Sequence, residues 1–77
     1  QEDAAGNLWI GTENGINILK KDGSGFSHIN TKTSPTLTHD YITSLHKSAN
    51  NEMWIGTVYG LNKLQSGDDR YVFKNYL

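Results

Sequence analysis

No cysteine occurs in these 77 residues, so neither a disulfide framework nor a thiolate metal site can hold the chain together. That absence leaves the redox compartment open. Proline occurs once, as Pro35. Charge of one sign is also scarce: seven Lys and Arg against eight Asp and Glu give a net −1, which excludes the basic stripe of a nucleic-acid binder. No apolar run approaches the roughly 20 residues that cross a bilayer. The opening Gln1-Glu2-Asp3 lacks the basic-then-apolar character of a signal peptide. His28, His39 and His46 do not fall at a metal-ligand spacing, no cofactor motif is legible, and no helical period runs through the chain. A core this small is only marginally stabilising, so the chain reads as a piece of something larger.

What is present is repetition. Leu8-Trp9-Ile10-Gly11-Thr12 returns as Met53-Trp54-Ile55-Gly56-Thr57, a shift of 45 residues (54 − 9). The echo continues with Gly15 on Gly60, Ile16 on Leu61, Asn17 on Asn62 and Leu19 on Leu64, so that seven of the twelve positions from Leu8 to Leu19 are identical. A fixed period of this size indicates a repeat architecture.

Each copy reads as hairpin-linked strands. Leu8 to Thr12 is bounded by turn residues on both sides. Leu8, Ile10 and Thr12 point to one face, Trp9 and Gly11 to the other; apolar bulk on both predicts a sheet covered on both sides. Gly11 and Gly56 would weaken their strands unless a neighbour approaches closely. Glu13-Asn14-Gly15 has the Asn-Gly signature of a type I′ hairpin, and Val58-Tyr59-Gly60 keeps only the glycine. Ile16 to Leu19 is the return strand, Lys20 to Gly25 a charged turn, and Phe26 to Asn30 a third strand. In the second copy the strands are Tyr41–Lys47, Met53–Thr57, Leu61–Leu64 and Arg70–Tyr76, with Gln65 to Asp69 repeating the charged turn. Four antiparallel strands repeating at this period predict an all-β fold of β-propeller blades. Residues 1–30 make a partial blade (three strands and the end of an inner one), 31–39 a polar inter-blade loop, and 40–77 a complete four-stranded blade.

Asn7 to Thr12 followed by Gly15-Ile16-Asn17-Ile18-Leu19, and Met53 to Thr57 followed by Gly60-Leu61-Asn62-Lys63-Leu64, resemble the two-component regulator propeller repeat. The family's inner-strand lead-in resembles Leu37 to Leu45. Glu52 and Met53 depart from the usual Asn-Leu, and Lys47-Ser48 from a Glu-Asp that survives as Glu2-Asp3. The resemblance implies just under two blades of a propeller that usually has seven, in the periplasmic sensing region of a bacterial hybrid two-component receptor. It also implies a membrane helix and histidine kinase outside this chain, and oligosaccharides as the sensed ligands.

Repetition also sorts the candidate residues. A packing site must recur in every blade and a ligand site need not. Trp9 and Trp54 therefore read as inter-blade packing before sugar platforms, and Asn17 and Asn62 as satisfying buried backbone; Gly11, Gly15, Gly56 and Gly60 complete the structural set. The histidines have no Ser, Cys or carboxylate partner at an informative spacing. Asp22, Asp68 and Asp69 are of the kind used in calcium loops but lack the EF-hand pattern. Tyr59, an aromatic in a non-repeating turn position, is the one candidate for contact with ligand or a partner, set against the plainer reading of a solvent-facing turn residue. The leading reading is a non-catalytic fragment of a sensor propeller. The second is a lectin-like repeat protein that assembles with copies of itself. A propeller lyase or hydrolase would need a non-repeating charged cluster, and none is visible. Neighbouring blades, copies of the chain and oligosaccharide are the expected partners; nucleic acid and membrane contact are not.

Overall fold

The computed structural model describes residues 1–66 and 71–77; of Ser66 only the backbone is described. Seven strands follow in chain order: β1 (Leu8–Thr12), β2 (Gly15–Leu19), β3 (Phe26–Ile29), β4 (Ile42–Lys47), β5 (Met53–Thr57), β6 (Gly60–Ser66) and β7 (Val72–Tyr76). They form two antiparallel sheets, β1-β2-β3 and β4-β5-β6-β7, each pairing neighbours in sequence. The described residues hold no helix. This is the meander of propeller blades, one of three strands and one of four. Glu2 also bridges Leu8, the register that Lys47 makes with Met53 one repeat later. The strands expected from sequence differ from the observed ones only at their ends. Ile42 replaces Tyr41 as the start of β4, β3 stops at Ile29, and β6 runs two residues further, to Ser66. Arg70, Asp68 and Asp69 lie outside the described residues.

The two hairpins that carry the repeat share one mechanism, and it is not the type I′ turn that Asn14-Gly15 suggests. Asn14 does not adopt positive φ; the bend falls on Gly15 (φ 102°) and on Gly60 (φ 120°), each the residue that closes the loop against the preceding threonine. The threonine fixes the turn. Thr12 Oγ1 donates to Gly15 O at 2.8 Å and accepts from Asn14 N at 3.0 Å. Thr57 Oγ1 makes the same pair, to Gly60 O at 3.4 Å and from Tyr59 N at 3.0 Å. A Cβ on Gly15 would also run into the carbonyl of Ile29, so both conformation and space demand glycine there.

Pairing across the ladders decides which side chains share a face. Trp9 opposes Ile18, and Ile16 opposes both Gly11 and Ile29, so these form one face of the first sheet. In the second sheet Leu45 and Asn62 oppose Ile55, and Leu64 opposes Phe73. The sheets stack with the Trp9 face of the first on the Ile55 face of the second. The core between them gathers Trp9, Ile16, Ile18, Ile29, Leu37, Ile42, Met53, Ile55 and Phe73. Because two sheets share a single interface, each has one covered face rather than the two expected from its sequence. Met53 and Ile55 are 3% and 0% exposed, whereas their counterparts Leu8 and Ile10 are each 41% exposed.

Candidate functional site

The repeated positions divide between the closed interface and the two open faces. Gly11 lies where β1 meets β4. A Cβ there would strike Ile42 and approach Leu45, so glycine lets the second sheet's side chains come up to the strand. At Gly56 the close neighbours are the hydroxyls of Ser44 and Thr43, beside the irregularity that shifts register between Ile42 and Ser44.

Trp9 and Trp54 hold the same repeat position in different surroundings. Trp9 is 2% exposed, stands edge-on to Tyr71 with centroids 5.7 Å apart, and donates from Nε1 to Asp3 Oδ2 at 2.8 Å. Asp3 also accepts from the backbone N–H of Ala5 and Asn7 at 3.0 and 2.9 Å. Partial burial works to raise its carboxyl, but the bonds from Trp9, Asn7 and Ala5 outweigh it and hold the group below the usual carboxylate range. One carboxylate therefore ties the turn before β1 to the indole inside the core. In the second sheet Ser48 occupies that position and holds only the turn, accepting from Glu52 N at 3.1 Å. Trp54 is half-buried on an open face, 5.4 Å from the ring of Tyr76, with Lys63 Nζ 5.6 Å from its centroid. Lys63 also pairs with Glu52 at 3.2 Å.

The two asparagines diverge in the same way. Asn62 is 0% exposed and fully engaged. Its Nδ2 donates to Ile55 O and Thr38 Oγ1, and its Oδ1 accepts from Thr38 N and Asn75 Nδ2. Thr38 belongs to the polar inter-blade loop, which also lends Leu37 to the core. From the same loop Thr36 Oγ1 accepts from Phe73 N at 2.9 Å. The loop thus straps the second sheet through Asn62. Asn17, on the open face of the first sheet, instead lies 2.7 Å from His28 Nδ1. The spacing of the histidines did not reveal this pair, because it forms across β2 and β3; the register Asn17 to His28 was its only signal.

His39 Nδ1 accepts from Tyr41 N at 3.0 Å, capping the entry to β4, and His46 opposes Trp54. Asp22 accepts from Ser24 N at 2.9 Å, and the side-chain and backbone bonds from Ser24 hold its carboxyl below the ordinary value. Among the described residues no group of three or more His, Asp or Glu side chains could hold a metal ion, and no helix is long and apolar enough to cross a membrane. Tyr59 is 65% exposed at the tip of the β5–β6 turn and lines a shallow groove with Gly60 and Leu77. A second groove, of about 360 Å³, runs between β1 and β4, lined by Leu8, Ile10, Gly11, Thr43 and Ser44 among others.

The arrangement can hold sheets together and present aromatic and polar faces; Trp9, Gly11 and Asn62 do the first, while Trp54 and Asn17 stand on open faces. Against known proteins, the family model described as two component regulator propeller matches residues 1–14 and 36–59. Both matches end at the same point of the repeat, 45 residues apart (59 − 14). No curated protein and no solved structure matches the chain.

Proposed function

From a chain that carries the two component regulator propeller repeat twice, we propose that these blades are a non-catalytic part of a ligand-sensing propeller. The propeller would lie in the extracytoplasmic, periplasmic region of a bacterial two-component receptor, with oligosaccharide as the sensed class and a histidine kinase outside this chain. The observation that carries the reading is that each matched segment falls in a different sheet, the first over β1 and the second over β4 and β5. A scaffold role for the repeated residues is supported by Trp9 in the core, Asn62 in the strap, and Thr12, Thr57, Gly15 and Gly60 in the turns. Ligand contact then falls to non-repeating exposed groups, Tyr59 first. Binding there would favour one of two packings of the propeller against a neighbouring domain, and so pass a signal without chemistry.

Tryptophan emission tests the reading, because Trp54 sits on an open face and Trp9 is buried. Titration with a panel of neutral and acidic oligosaccharides should give a saturable change that Tyr59→Ala weakens at least about tenfold. A flat response across the panel would overturn the choice of ligand class. A saturable response that Tyr59→Ala leaves unchanged would overturn the choice of residue.

A further inference from the structure

We infer that the two open sheet faces are the two halves of one head-to-tail interface, and that a second copy of this chain seats its Leu8–Ile10 face on the Trp54 face of the first. The inference rests on how the two sheets meet inside one chain and is independent of what the propeller senses. Within the chain, the Trp9 face of the first sheet covers the Ile55 face of the second. The 45-residue shift makes the Trp54 face the same surface as the Trp9 face, one blade on. It makes the Leu8–Ile10 face the same surface as the Met53–Ile55 face, one blade back. Each chain therefore displays one example of each half, and neither half is complementary to itself.

The correspondence runs contact by contact. In the last strand the ladders set the correspondence: Phe73 opposes Leu64 as Phe26 opposes Leu19, so the counterpart of buried Phe73 is Phe26, which is 68% exposed. Phe26 of one copy thus enters the contact with the Trp54 face of the next, as Phe73 enters the core under the Trp9 face. Ile16, inside the core, corresponds to Leu61, an exposed apolar side chain on the Trp54 face. Leu8, Ile10 and Leu19, also exposed, stand where Met53, Ile55 and Leu64 line the internal contact.

Three positions set the strength. By ladder register, Ile18, Ser27 and Ile29 have Lys63, Lys74 and Tyr76 as their counterparts. The lysines lie along aromatic faces, Lys63 against Trp54 and Lys74 against Tyr76 at 5.5 Å, so their stems can cover apolar surface while their amines stay at the rim. The contact between copies is consequently weaker than the one inside the chain, and reversible. A head-to-tail contact grows until a ring closes. Propellers close at about four to eight blades, so a chain of about two blades closes with about two to four copies.

Sedimentation velocity over a range of concentrations should show the 77-residue chain shifting reversibly from monomer to one closed species in that range. Phe26→Glu, at an exposed site, should raise the dissociation constant at least about tenfold while leaving the near-ultraviolet signal of buried Trp9 intact. With no native cysteine, Phe26→Cys and Trp54→Cys chains can be mixed and treated with a short bis-maleimide. Heterodimers should form in the mixture and not in either variant alone. A monomer throughout the concentration range would overturn the inference. So would open-ended aggregation, self-linking of Phe26→Cys chains, or a Phe26→Glu variant that assembles like the parent.

Discussion

Two tryptophans at one repeat position are asked to do different amounts of work. Trp9 is enclosed on all sides and hydrogen-bonded through its indole, so Trp9→Ala should cost about 3–5 kcal/mol. Trp54→Ala removes half-buried surface and should cost about 1 kcal/mol; urea denaturation of the two variants measures the contrast. Asp3 adds a pH signature. Its carboxyl is lowered in the folded chain, so its stabilisation is present above an unfolded value of about 3.9 and is lost as pH falls through the folded value. Asp3→Asn should flatten that acid limb relative to the parent. The exposed Asp22, lowered too, contributes equally to both chains, and the difference between acid unfolding curves isolates Asp3. Sequence made the tryptophans, glycines and asparagines visible as a set, because repetition marks positions. It did not separate Trp9 from Trp54 or Asn17 from Asn62, because burial depends on which sheet covers which. Asp3 was legible only as part of a family dipeptide, since a side chain that reaches six residues along to an indole leaves no periodic trace.

Among elements, the strands were legible almost to the residue, whereas the loop from Thr31 to His39 was not. Its polar composition conceals Leu37 in the core and a strap to Asn62. Asn62→Ala would leave Ile55 O and the Thr38 groups short of partners inside the sheet contact and should cost about 1–3 kcal/mol. Asn17→Ala, on an open face, should cost clearly less by the same denaturation assay. The Asn14-Gly15 turn departs from its sequence signature for a physical reason: the threonine hydroxyl, not positive φ at Asn14, organises the loop. At the junction of β1 and β4, Gly11→Val would force Ile42 and Leu45 away from the strand. Overpacking of this kind costs about 1–3 kcal/mol, and thermal unfolding should show it as a lowered midpoint with the strand content intact by circular dichroism.

For the whole molecule, one shared core means that the sheets stand or fall together. Unfolding followed by tryptophan emission and by far-ultraviolet circular dichroism should coincide in a single transition. If copies join head to tail, its midpoint should also rise with protein concentration. Non-coincident transitions would show the blades to be separable.

Each sheet joins only strands that follow one another along the chain, and the closures that build it span short stretches of sequence. Few-residue closures are fast, and proteins dominated by them cross their barriers quickly. The hairpins β1–β2 and β5–β6, with their threonine-fixed loops, can form independently and early. The docking of one sheet on the other also brings in the loop carrying Leu37 and Thr38, so stopped-flow refolding is expected to show hairpin formation first and docking after it.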